Sequence, residues 1–136
     1  LQDCTRAEVT NAYNNTILYT DHFLSKVIGY LKSIQPHVQA AMVYVADHGE
    51  SLGENNIYLH GLPYAIAPDV QKRIPWIQWL SNEFMARNKI KPECLEKQIE
   101  TKLSHDNYFH SILGLMKVQT SAYKAELDVY SACTNK

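Results

Sequence analysis

At 136 residues, 46% hydrophobic and 20% charged, the chain has the composition of an ordinary globular protein, with room for one compact domain or one piece of a larger one. Its net charge of -1 offers no basic field, which excludes nucleic acid as a partner and gives no attraction to an anionic membrane surface. The longest apolar run, Ala40 to Ala46, is far too short to span a bilayer, and nothing at the amino end reads as a signal peptide.

Elements follow in chain order. Thr5-Arg6-Ala7-Glu8 reads as a capping box, in which a hydroxyl and a carboxylate satisfy free backbone amides. Val9, Tyr13, Ile17, Thr20, Leu24, Val27, Ile28 and Leu31 then recur at helical spacing, predicting a long amphipathic helix to about Ser33 that ends before Pro36. Ala40 to Ala46 is continuous, β-branched and aromatic, the pattern of a strand covered on both faces. A polar loop through Gly53, Glu54, Asn55 and Asn56 should fold back toward the end of that strand. Arg73 to Leu80 is a second strand, with Pro75 near its start, where a lost amide costs least.

The segment after Pro92 reads as helical. Ser104 caps a further helix with Phe109, Ile112, Leu113 and Met116 as its buried stripe. Leu127 to Tyr130 reads as a last short strand. Helices alternating with buried strands give an α/β layered fold on a largely parallel sheet.

The three cysteines, Cys4, Cys94 and Cys133, form no CxxC metal pattern. In an oxidising compartment Cys4 would pair with a cysteine outside the chain, and Cys94 and Cys133 would bridge to each other. In the cytosol all three would stay reduced, and composition leaves both open. The chain starts at Leu1, without methionine, which reads as a segment cut from a longer protein.

The chemistry concentrates where the first strand ends, in Asp47-His48-Gly49-Glu50, with His60 twelve positions after His48. In open α/β sheets ligands gather beyond the carboxyl ends of strands. Gly49 lets the backbone turn, so a carboxylate oxygen and a neutral imidazole nitrogen converge on one point, a pair that suits a zinc-type ion. Against this, Asp, Gly and Asn favour turns for backbone reasons alone, and His60 reads equally as a satisfied core histidine. Two protein ligands also fall short of the three a catalytic zinc takes. His22 and His37 read as solvated, His105 and Asp106 as capping residues, and His110 as structural.

Three stretches decide between these readings. "NAYNNTILYTDHFLSKVI", "VYVADHGESLGENNIYLHGLPYAIAP" and "SHDNYFHSILGLMKVQTSAY" together resemble the carboxyl-terminal portion of the lipid A phosphoethanolamine transferases. That group includes the mobile colistin-resistance enzymes and belongs to the alkaline phosphatase/sulfatase superfamily. The resemblance covers nearly the whole chain, in order and without large gaps.

The resemblance implies an alkaline phosphatase/sulfatase-like α/β fold, here incomplete, on the periplasmic face of the bacterial inner membrane. It implies zinc-dependent transfer of phosphoethanolamine from phosphatidylethanolamine to lipid A through a phospho-threonine intermediate, with polymyxin resistance as the outcome. Asp47 and His48 map onto family zinc ligands. His60 maps onto the family's YLHG histidine, a substrate contact on the transferred phosphate or a ligand to a second zinc. A periplasmic location favours a Cys94–Cys133 disulfide, with the partner of Cys4 absent.

Residues 1–136 then form the carboxyl-terminal portion of the domain. The membrane domain and the nucleophile-bearing half, with the glutamate that completes the first zinc site, lie upstream. None of Thr5, Thr10, Thr16, Thr20, Thr101, Thr120 or Thr134 sits in a nucleophile context, and Ala46 stands where the family commonly has serine. The chain alone is therefore expected to be inactive and a poor holder of zinc, with open sheet edges met by its other half or by a homodimer. The competing readings are a transferase for core-oligosaccharide sugar or phosphoglycerol acceptors, and a non-catalytic interaction or folding fragment.

Overall fold

The structure is a computed structural model that describes residues 3–35 and 37–134. Backbone contacts divide the chain into two compact units. The first comprises Leu1–Gln35 with Met42–Trp79, and the second Pro36–Ala41 with Leu80–Lys136.

The first unit is built on helix α1, Arg6–Ser33. Its capping box is complete: Glu8 N–H donates to Thr5 Oγ1 at 3.3 Å, and Thr5 N–H donates to Glu8 Oε2 at 2.8 Å. These bonds satisfy donors that no helical carbonyl reaches. Val9 and Leu24 are its buried anchors, and Tyr13, Thr20, Val27, Ile28 and Leu31 are half-buried around them. Ile17, expected in that stripe, is 51% exposed. The helix ends at Ser33, and Pro36 lies outside the described residues.

After α1 come β1 (Ala41–Val45), β2 (Ser51–Glu54), β3 (Ile57–Leu59), the short helix α2 (Asp69–Lys72) and β4 (Trp76–Leu80). β1 pairs with β4, a crossover connection, and β4 opens directly after Pro75, which has no amide to give a ladder. β1 is half-buried rather than enclosed on both faces, having β4 as its neighbour in the sheet.

β2 and β3 form an antiparallel hairpin where a loop is expected. Its tip residues Asn55 and Asn56 have φ of 52° and 60°, left-handed values that asparagine tolerates and that match the twist of a tight hairpin. The α/β class stands. The sheet content of the described residues is two short two-stranded pieces, each too small for an independent parallel sheet.

The second unit contains α3 (Asn82–Asn88), α4 (Pro92–Glu96) and α5 (His105–Leu115), followed by 3-10 turns at Ala125–Leu127 and Ser131–Cys133. The strand expected at Leu127–Tyr130 is absent; that stretch joins the two 3-10 turns. The buried side of α5 also differs from the apolar stripe expected. His110 and Ser111 are buried, Ile112 and Leu113 are half-buried, and Phe109 and Met116 are 51% and 72% exposed.

The cause is polar. The carboxyl-terminal segment docks through its backbone: Lys124 N–H donates to His110 Nδ1 at 3.2 Å and Val129 N–H to Ser111 Oγ at 2.9 Å. Buried amides must be satisfied, so these two side chains face the segment. Asp128 continues the docking, accepting from Tyr123 O–H at 2.7 Å and from Tyr130 N–H at 2.8 Å. A disulfide joins Cys94 to Cys133, whereas Cys4 is free and exposed.

Candidate metal centre

The hairpin aligns the site. Ser51 pairs with Leu59, so the next positions outward, Glu50 and His60, face each other across the open end. Glu50 Oε2 lies 3.2 Å from His60 Nδ1, and Oε1 lies 3.3 Å away. His48, two residues earlier, lays its ring on that of His60 with centroids 3.9 Å apart.

Behind the site, Gln71 of α2 ties the strand ends together. Its buried amide Nε2 donates to Ser51 Oγ at 2.8 Å and to the Leu59 carbonyl at 3.0 Å. Gly49 N–H donates to the Gln71 carbonyl at 3.0 Å. Gly49 is required by close approach, because a Cβ there would overlap the Val70 carbonyl oxygen. Leu59 has φ of 64°, a left-handed value that is uncommon for a bulky apolar residue. Such backbone persists only where surrounding bonds hold it, and here the Gln71 amide holds the Leu59 carbonyl beside His60.

The hydrogen bonds assign the tautomers. His48 Nδ1 lies 2.9 Å from the Gly49 carbonyl oxygen, which can only accept, so Nδ1 carries the hydrogen. His60 Nδ1 likewise donates to the Glu50 carboxylate. In the neutral rings both Nε2 atoms therefore keep a lone pair, the arrangement by which metal-binding histidines are oriented through their other nitrogen.

His48, Glu50 and His60 offer ligand atoms that all lie within 4.8 Å of one another. Two imidazoles and a carboxylate, partly open to solvent, fit a divalent ion of the zinc type. Asp47 is not in that group; its Oδ2 lies 3.7 Å from His48 Nε2 and its side chain is 89% exposed. Backbone hydrogen bonding, and then the His48 charge, hold its carboxyl below the usual range. Glu50 escaped the sequence reading, which took Asp47 and His48 as the pair. Its signal was the Asn55-Asn56 turn, since a hairpin closed there brings Glu50 opposite His60.

Among the other histidines, His22 and His37 are exposed, and His110 is buried as the acceptor for the Lys124 amide. No helix among the described residues is long and apolar enough to cross a membrane.

The phosphoethanolamine transferase EptA of Escherichia coli K12 is 47% identical over 134 residues, a match covering 98% of this chain and 24% of the relative. Among solved structures, the soluble domain of lipooligosaccharide phosphoethanolamine transferase A from Neisseria meningitidis superposes with a TM-score of 0.94 at 44% identity. That match covers 99% of this chain and 41% of the other. The carboxyl-terminal periplasmic domain of phosphoethanolamine transferase EptC from Campylobacter jejuni gives a TM-score of 0.84 at 42% identity, covering 98% of this chain and 41% of that one. The chain thus spans about a quarter of the length of the curated relative. The sequence profile of the sulfatase family matches residues 2–118, most of the length and the whole of the metal centre, so the chain belongs to the sulfatase family.

Proposed function

We propose that this chain is the carboxyl-terminal portion of the periplasmic domain of a zinc-dependent phosphoethanolamine transferase. The whole enzyme takes the group from phosphatidylethanolamine onto a threonine outside this chain, releasing diacylglycerol, and passes it to a phosphate of lipid A, which frees the threonine. The observation that carries this reading is the coincidence of two features. A His/Glu/His cluster lies inside a chain that matches phosphoethanolamine transferases over almost its whole length. The Neisseria relative, named for lipooligosaccharide, supports a phosphorylated glycolipid acceptor.

Sulfatase-family enzymes use metal ions. Here His48, Glu50 and His60 would hold zinc, with Asp47 beside His48, and zinc when bound would neutralise charge on phosphoryl oxygens and activate an oxygen nucleophile. The rest of the chemistry is positioning, as phosphoryl transfer needs little covalent help beyond orientation and charge stabilisation. Glu50 fixes the His60 ring through Nδ1, which leaves Nε2 for the ion or for the anionic group it attracts. Gly49 and Gln71 keep the two histidines stacked. Transfer adds an ammonium group to lipid A and reduces its negative charge, so cationic polymyxins bind more weakly.

The test is transfer by the full-length protein carrying this chain, from labelled phosphatidylethanolamine to lipid A, read by mass spectrometry. Activity that is lost in His48→Ala and His60→Ala supports the proposal. Wild-type transfer in both variants, or none from the intact protein, would refute it.

A further inference from the structure

Helix α2 is a single turn, Asp69–Lys72, with no side-chain cap, and Gln71 is its buried residue. A helix this short is unstable in isolation and depends on the contacts its side chains make. An apolar side chain would give such contact without direction. An amide is costly to bury unless its bonds are made, and those bonds fix the geometry of their partners. Both hydrogens of the Gln71 amide are committed, one to Ser51 Oγ and one to the Leu59 carbonyl. The Gln71 main-chain carbonyl accepts from Gly49 N–H. One residue thus grips positions 49, 51 and 59, the chain neighbours of all three candidate ligands, His48, Glu50 and His60. All of these residues lie in the first unit.

The bond to Leu59 matters most. The β2–β3 ladder already pairs Ser51 with Leu59 and Leu52 with Tyr58, so the hairpin register does not depend on Gln71. The ladder leaves open the backbone at Leu59, whose φ of 64° is unfavourable for a bulky residue. A left-handed residue at the end of a strand redirects the chain that follows, so Leu59 decides where the His60 ring points. We infer that Gln71 is a positioning residue for the metal centre: its amide keeps Leu59 left-handed and so sets the His60 ring against His48 and Glu50. The inference rests on the reading of that cluster as the site that holds the metal. Gln71 acts at one remove, since its hydrogen bonds go to the main chain and to a hydroxyl and not to the ligands themselves.

The experiment measures the zinc affinity of the full-length protein carrying this chain, by competition with a chromophoric chelator, so that transfer activity does not enter the readout. Gln71→Met keeps the bulk of the side chain and the carbonyl that holds Gly49 but removes the amide, and should weaken binding about 10–100-fold. Gln71→Asn draws the amide back by one methylene and should act in the same direction with a smaller change in packing. Leu59→Asn separates positioning from support. Asparagine takes left-handed backbone readily, and the Leu59 side chain is 53% exposed, so this exchange removes the need for the amide. Alone it should leave affinity within about threefold of wild type. Combined with Gln71→Met it should bring affinity back to within about fivefold of wild type, although the buried amide is still missing. Thermal melts report the folding of each variant.

Unchanged affinity in Gln71→Met and Gln71→Asn would overturn the inference and leave the metal reading standing. So would a double variant that binds no better than Gln71→Met, or loss of folding in both Gln71 variants, since either result makes Gln71 a support of the fold and nothing more. A wild type that takes up no zinc would overturn the inference and the metal reading together.

Discussion

The imidazoles of His48 and His60 stack with centroids 3.9 Å apart and planes tilted by 33°, each with its Nδ1 engaged. In the full-length protein a divalent ion should bind there, with His48→Ala and His60→Ala each abolishing measurable zinc uptake in calorimetric titration. Glu50→Gln keeps the shape but replaces the carboxylate that orients His60, and should weaken zinc binding about 10–100-fold. Equal affinity in wild type and Glu50→Gln would show that Glu50 is a bystander.

Gly49→Ala places a methyl group against the Val70 carbonyl oxygen. Helix α2 must then shift, and with it the Gln71 amide that ties Ser51 to Leu59. A loss of about 1–3 kcal/mol is expected from this overpacking, measured by urea denaturation. Zinc affinity should fall together with stability, since both depend on the same contact.

Tyr123 provides a pH signature. Burial, reinforced by its hydrogen bond to Asp128, raises its pKa from 10.0 to about 12. The raised folded value means that its contribution to stability is complete below about pH 10 and is lost as pH rises toward 12. Phenolate absorbance should show one tyrosine titrating about two units late, and Tyr123→Phe should remove that phase. The substitution should also cost about 1 kcal/mol, as Asp128 loses a donor. A single unshifted tyrosine phase would contradict the buried contact.

Cys94 and Cys133, separated by 39 positions, close a loop that ties α4 to the final 3-10 turn. Reduction, or a Cys94→Ala/Cys133→Ala double substitution, should destabilise the second unit by about 3–4 kcal/mol. Thermal melts with and without reductant read the loss. Cys4→Ser should leave the melt unchanged, because Cys4 is free and exposed.

Residues with a single dominant local role were legible in the sequence. Thr5 and Glu8 close a capping box and Ser104 caps α5, each through chemistry confined to a few neighbours, whereas the strand expected from Arg73 opens only at Trp76, after Pro75. The apolar face of α5 was misread because the backbone of a distant segment claims His110 and Ser111, and no helical period encodes that demand. The hairpin was missed for a different reason. Asn-Asn is a weaker turn signal than Asn-Gly, and Ile57–Leu59 is short for a recognisable strand. That omission also hid Glu50: a loop leaves the partner of His60 open, whereas a hairpin register assigns it.

The hairpin register has a kinetic consequence. All three candidate ligands, His48, Glu50 and His60, come from residues 48–60, so closing the site is a short-range event with a small loop-closure cost. Hairpins close within about 1–10 μs, long before distant segments meet. The metal centre is thus a low-contact-order element, able to form early and to serve as a local template around which slower parts of the chain assemble.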